Sequence, residues 1–232
     1  MEQFAPGRAV LGGSGAHHLA RVLRAEAGQL YELSDGERVR LGRVERVGKD
    51  AVEFALLEEI PSREPAPKTT LLLSIVKFDA FEWALEKATE LGVCRVVPLG
   101  AARSEKALIL AANKRAERWR KILLEASEQS RRVSVPRLEP LSTAAEAFST
   151  SSGGCRILLS ERAGAPPLKS LLVRATEAEA VLAIGPEGGW TDAEIAAARA
   201  GGFPEASLGT LILRTETAVI AALAALNYAL GP

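Results

Sequence analysis

The sequence is poor in the residues that build redox and metal sites. Cys94 and Cys155 are its two cysteines in 232 residues, and no C-x-x-C pair occurs. That excludes a disulfide framework and argues against a zinc cluster. Both lie in apolar, strand-like runs, VCRVVPL and CRILLS, and read as reduced core thiols. His17 and His18 are adjacent and have no Cys, Asp or Glu cluster beside them, so no metal is expected. No apolar run reaches the roughly 18 to 20 residues of a membrane span. The opening MEQFAPGR lacks the pattern of a secretory signal. Repeats of solenoid period are absent as well. Net charge is missing too: 29 Lys and Arg balance 29 Asp and Glu, so the whole-chain charge makes no case for nucleic acid. A soluble, cytoplasmic protein without metal or membrane is expected.

Apolar residues are plentiful: 47% are hydrophobic against 25% charged, enough for a sizeable core and too little charge for wholesale disorder. The length fits one or two domains. Over residues 1–60, LYELSD, RVRLGRVERV and AVEFALL read as strands, with turns at Ser34-Asp35-Gly36 and Gly48-Lys49-Asp50. AHHLARVLR (16–24) reads as helix, with Leu19, Val22 and Leu23 on one face. PSREPAP (61–67) is the natural linker, because proline suits neither a ladder nor a helix interior. The predicted domains are therefore 1–67 and 68–232.

Beyond the linker the texture changes. TLLLSIV (70–76) is a continuous apolar run, as in a strand buried on both faces. The next stretch has helical period, with Phe81, Ala84, Leu85, Ala88 and Leu91 in one stripe, Asp79 and Glu82 as a capping box, and Gly92 as the stop. Further strands are predicted at 93–99, 155–160, 180–184 and 206–209, and helices at 114–130, from Thr191 to Gly201-Gly202, and at 216–230. Strands alternating with helices predict an α/β fold with a parallel sheet.

Charge is unevenly spread. Residues 103–137 hold ten basic and four acidic side chains. They are either a solvated helix face or a phosphate-binding surface. Near the C-terminus, AIGPEGGW (183–190) follows an apolar strand and precedes a capped helix. Its glycines let a ligand approach backbone amides at a strand end. It lacks both P-loop and Rossmann spacing, which argues against an enzyme using another nucleotide there. SLGTLILRTETA (207–218) gathers Arg214, Thr215, Glu216 and Thr217 ahead of the last helix. Thr215 or Thr217 could cap that helix and Glu216 complement its dipole, which leaves the arginine unexplained.

KATELGV (87–93), EASEQSRR (125–132), IGPEGGW (184–190) and LGTLILRTETA (208–218), in this order and spacing, resemble the SPOUT-class methyltransferases that modify a uridine at N3 in 16S ribosomal RNA. HHLARVLR (17–24) resembles the motif of that family's N-terminal domain. The resemblance implies a small PUA-like β-barrel domain that binds RNA, then a SPOUT domain with a deep C-terminal trefoil knot. It implies S-adenosylmethionine (SAM) as cofactor, 16S rRNA or the small ribosomal subunit as partner, and a homodimer to which the helix 216–230 contributes. The cofactor loops would comprise Leu159 and Ser160; Ile184, Gly185, Pro186, Glu187, Gly188 and Gly189; and Leu208, Gly209, Ile212 and Leu213. Leu159, Leu208 and Leu213 would pack the adenine. Arg214 would stabilise charge on the uracil oxygens or hold the target phosphate, and Glu216 would act as base or orient Arg214. His17, His18, Arg21, Arg24, Arg103, Arg131 and Arg132 are the expected RNA contacts; for the histidines, packing between the domains is the alternative. The rival from another class is a non-catalytic RNA-binding module with a degenerate pocket.

Overall fold

The structure is a computed structural model that describes residues 3–61, 67–152, 154–173 and 179–231. The chain divides into two compact units, Met1–Glu64 and Pro65–Pro232. Of the expected linker, residues 62–66 lie outside the described residues.

In the first unit, strands β1 (Gln3–Ala5), β2 (Arg8–Gly12), β3 (Leu30–Ser34), β4 (Val39–Val47) and β5 (Ala51–Ile60) form an antiparallel sheet in the order β1-β2-β5-β4-β3. The three strands read from sequence are β3, β4 and β5. Ala9, Val44, Val52 and Phe54 bury one face, together with Ala16 of helix α1 (Gly13–His17). At Gly42 a side chain would collide with Leu33, so the glycine lets β3 and β4 close up. The expected barrel is not closed: β1 and β3 are the two edges and share no ladder among the described residues. Three-residue β1 is taken up in pairing with β2.

The helix expected at 16–24 also differs. It starts at Gly13 and passes into a π-helical turn, His18–Val22. The wider turn rotates later residues off the apolar stripe. Leu19 packs against the core, whereas Val22 and Leu23 are 63% and 52% exposed.

The second unit is a parallel sheet covered on both faces. Its elements are β6 (Lys68–Ser74), α2 (Phe78–Glu90), β7 (Val93–Gly100), α3 (Lys106–Gln129), β8 (Arg137–Leu138), β9 (Ser142–Thr143), α4 (Ala144–Thr150), β10 (Cys155–Leu159), α5 (Leu168–Leu172), β11 (Glu179–Ile184), α6 (Asp192–Ala200), β12 (Glu205–Ala206) and α7 (Thr215–Leu230). The strand order is β12-β10-β11-β6-β7-β8, and β9 continues on β7 beyond β8. Central β6 behaves as its unalternating sequence predicts. Leu71 and Leu73 join Phe81, Leu85, Trp119, Leu123 and Leu223 on one side. Leu72 joins Phe148, Trp190, Ile195 and Phe203 on the other.

Local signals fared unevenly. Thr191 and Glu194 form the expected capping box on α6. Asp79 and Glu82 do not form one, because Lys77 precedes α2 without a side-chain cap. Glu82 is instead buried against α3, where Arg118 Nε donates to it at 2.8 Å and Arg115 lies at 3.6 Å. A carboxylate facing two guanidiniums from a neighbouring helix is better placed there than at a helix start. Helix α3 begins eight residues before the expected 114, and β12 has two residues rather than four. Helix α4 was unread although Thr143 and Glu146 cap it with the same box. Both cysteines are free thiols, no cluster able to hold a metal occurs among the described residues, and none of the described helices is long and apolar enough to cross a membrane.

Candidate functional site

Three neighbouring strands, β12, β10 and β11, bring their C-terminal ends together, and the last residues of β10 and β11 with the loops that follow all three carry every residue of the expected cofactor site. In an open parallel sheet this rim is where ligands bind. Direct bonds tie the loops. Ser160 N–H donates to the Ala206 carbonyl at 2.9 Å, and Ser207 N–H to Pro166 at 2.8 Å. Trp190 Nε1 donates to the Leu159 carbonyl at 2.9 Å. Thr215 Oγ1 donates to the Gly185 carbonyl at 3.2 Å, fastening the start of α7 to the loop after β11.

That loop is a tight turn, closed by Gly189 N–H donating to Pro186 at 2.8 Å. Gly189 has φ 68°, and a side chain there would collide with the Glu161 carboxylate. Leu159, Ser160, Ile184 and Pro186 are buried, and Glu187 and Gly188 are exposed. Residues 208–213 make no backbone–backbone hydrogen bond among the described residues. Leu208 packs on the main core, but Leu211 and Ile212 are 80% and 81% exposed, and Leu213 and Gly209 are exposed too. The expected adenine contacts therefore divide into two held by the core, Leu159 and Leu208, and one that is open, Leu213.

Arg214 occupies the N-cap position of α7 and is exposed. Neither threonine caps the helix: Thr215 turns its hydroxyl to Gly185 instead. Glu216 is half-buried in the first turn, a favourable place for a carboxylate. Arg214 and Glu216 form no ion pair, with each other or with any other described residue.

The expected RNA contacts separate into three groups. His17, His18, Arg21 and Arg24 are exposed along one short segment, and none has an ion-pair partner among the described residues. Arg131 is exposed at φ 53°, closing α3 with Arg132 N–H donating to Ser127 at 2.9 Å. Arg132 itself turns inward. Its Nη1 donates to the Thr89 carbonyl at 2.7 Å, and burial holds its pKa below the ordinary value while the neighbouring Cys94 acts against that. It straps α3 to α2 and does not offer its charge to a surface ligand. Arg103 is exposed but donates to loop carbonyls at Gly188 and Trp190. Sequence reading gives Trp190 no role and offers Thr215 only as a cap, although both stand inside the quoted motifs. Only their partners, about thirty residues away, disclose what they do. A depression of about 540 Å3 lies elsewhere, beside Phe148, Arg156 and Gly202.

The family model that matches this parallel-sheet unit is that of an RNA methyltransferase domain, over residues 62–227. A ribosomal RNA small subunit methyltransferase E from Synechocystis is 35% identical over 91% of this chain and 70% of its own length. The crystal structure of the protein of that name from Neisseria gonorrhoeae, bound to S-adenosyl methionine, is 32% identical with a TM-score of 0.87, covering 98% of this chain and 92% of that one. A methyltransferase from Legionella pneumophila in complex with SAM is 30% identical, also at 0.87, over 98% and 94%. The chain belongs to the ribosomal RNA small subunit methyltransferase E family.

Proposed function

We propose that this protein methylates N3 of a uridine in the 16S rRNA of the small ribosomal subunit, with SAM as donor, in the cytoplasm. The observation that carries the reading is the bonded cluster of loops after β10, β11 and β12 with Arg214 at its edge. The loop chemistry fits such a donor. The peptide N–H groups of Glu187 and Gly188 have no protein acceptor among the described residues, and Leu208, Ile212 and Leu213 offer apolar contact to a purine. SAM supplies an electrophilic methyl group on a sulfonium.

The rest falls to the chain. Uracil N3 holds a weakly acidic proton and is a poor nucleophile until it leaves. Arg214 stabilises the charge that collects on the base oxygens. Glu216 takes the proton. Orienting Arg214 would require a bond between the two, and they make none among the described residues. The first unit serves as a PUA-like RNA-binding domain through His17, His18, Arg21 and Arg24, and the second carries the SPOUT trefoil knot. A homodimer forms through the exposed side of α7, where Ala224 and Tyr228 face solvent; Val219 and Leu223 are spent in the protomer's own core.

The test is mass spectrometry of 16S rRNA from cells with and without the gene, followed by incubation of undermethylated small subunits with the purified protein and SAM. Loss of one N3-methyluridine and its restoration in vitro are expected. An unchanged modification profile overturns the reading.

A further inference from the structure

The loop Gly185–Trp190 is gripped from the segment after β7, on the same rim of the sheet, by a reciprocal pair of contacts. Arg103 Nη1 donates to the carbonyls of Gly188 at 2.8 Å and Trp190 at 3.3 Å. In the other direction, Glu194 Oε1 accepts from Ala102 N–H at 2.8 Å, while its Oε2 accepts from Thr191 N–H and hydroxyl at 2.9 and 2.7 Å. A guanidinium beside β7 thus holds the loop's carbonyls, and a carboxylate at the loop's end holds the neighbouring peptide. Strands β7 and β11 are not adjacent, since β6 lies between them. The clasp therefore bridges the C-terminal end of β6. Its base is fixed by Ser104, whose hydroxyl donates to the Ile75 carbonyl at 2.7 Å. Gly188 allows the approach, because a Cβ there would lie 3.2 Å from Arg103 Cβ. Arg103 pairs with no carboxylate among the described residues, so its cation serves the loop. The Gly188 and Trp190 carbonyls share their peptides with the N–H groups of Gly189 and Thr191, which donate to Pro186 and Glu194, so both peptides are held at each end; the N–H groups of Glu187 and Gly188, in the turn just before, have no protein acceptor among the described residues.

We propose that Arg103 is a positioning residue for the cofactor, not an RNA contact: by holding the 188–189 and 190–191 peptides it fixes the turn that presents the N–H groups of Glu187 and Gly188 to SAM. This rests on the assignment of that loop to SAM. Arg103→Ala should leave the ends of the loop tethered through Thr215 and Trp190 but its Gly188 carbonyl unheld. Arg103→Lys should retain part of the function, because an ammonium can reach one carbonyl but cannot fork across two.

The experiment compares the full-length wild type, Arg103→Ala and Arg103→Lys by SAM calorimetry, RNA affinity across a salt series, steady-state kinetics, and amide hydrogen exchange of residues 185–191. For Arg103→Ala the SAM Kd should weaken about ten- to hundredfold, the range for loss of a hydrogen bond to a charged group. The lysine variant should fall between it and wild type. Exchange of 185–191 should quicken in the alanine variant even without SAM. The KM for SAM should rise while kcat at saturation stays within about twofold, as lost ground-state binding requires. RNA affinity and its salt slope should not move. Native SAM affinity in Arg103→Ala overturns the proposal, as does a salt slope reduced by about one phosphate. Wild-type protein without SAM affinity overturns the cofactor assignment of the loop, and this proposal with it.

Discussion

The two sheets solve different problems. The antiparallel sheet of the first unit has a small core and manages its charge on the surface. Arg8 and Arg46 both hold Glu53, Arg38 faces Glu59, Arg40 faces Asp35, and Arg43 holds Glu45. Such exposed pairs contribute about 0 to 1 kcal/mol each. Their larger effect is to neutralise the sheet's arginines and leave the cations of the 17–24 segment prominent. The parallel sheet of the second unit is packed on both faces, and its strand ends are fixed by core residues such as Ile184. Loops on that rim are registered against rigid strands by hydrogen bonds from Thr215, Trp190 and Arg103 and by the packing of Trp190 and Leu208 on the two cores. Recognition of a long polyanion can sit on the first kind of surface; placing one methyl group requires the second.

Core truncation should separate the units most sharply. Phe54→Ala and Phe81→Ala each remove a fully buried ring and should cost about 3 to 5 kcal/mol in their own unit. With its smaller core, the first unit should then melt early in calorimetry while SAM binding persists. Phe81→Ala should lower SAM binding together with the second unit's melting temperature. Equal loss of SAM affinity in both variants would show that the units do not divide the work.

Next in size is Arg214→Ala, which should lower turnover about 100- to 1000-fold with SAM affinity intact. Glu216→Gln should leave a rate that high pH partly rescues, because solvent then removes the imide proton. Full activity in Arg214→Ala would remove the charge-stabilising role.

A smaller effect is expected from Arg21→Ala with Arg24→Ala. RNA affinity at moderate salt should fall and the salt slope flatten by roughly one and a half to two, with SAM binding unchanged. Arg132→Ala should instead destabilise the second unit and leave the slope alone, since its guanidinium holds Thr89. A flattened slope in Arg132→Ala would place it on the RNA surface after all.

The weakest expected effect is on acid stability. Asp35 is held below its ordinary pKa by the backbone N–H groups of Arg38 and Glu37, and Glu53 by the hydrogen bond from Arg46. A depressed folded-state pKa stabilises fully above the unfolded value of about 4 and is lost as pH falls through the folded one. Melting of the first unit should hold down to about pH 4 and then decline, and Asp35→Asn should shallow that decline. An identical acid limb in the variant would mean that the turn contributes nothing.

How much of this was legible depended on range. The unbroken TLLLSIV run announced a strand buried on both faces, and Leu71, Leu72 and Leu73 divide between two cores as that pattern requires. The box from Thr191 to Glu194 was readable because both partners lie within one turn. Glu82 was misread because an acidic residue near a helix start looks like a cap until Arg115 and Arg118 arrive from the next helix. The π-helical turn at His18 leaves no mark in hydrophobic periodicity. The apolar run before GPEGGW is β11, so that motif stands at a strand end as its sequence predicts. The clasp from Arg103 to Gly188 spans 85 residues, and no local pattern encodes it.

The division of the outer strand into β8 and β9 has a bearing on how the protein behaves at high concentration. Val96 accepts from Glu139 N–H at 2.9 Å, so Pro98, two residues on, faces the same outer side of β7. Proline has no hydrogen to donate there, and the gap between Leu138 and Ser142 falls opposite it. The rim therefore consists of two stubs of two residues with a break between them, rather than a row of open peptide groups. A stray strand from another molecule finds no template of useful length, and this side of the sheet is protected against edge-to-edge aggregation.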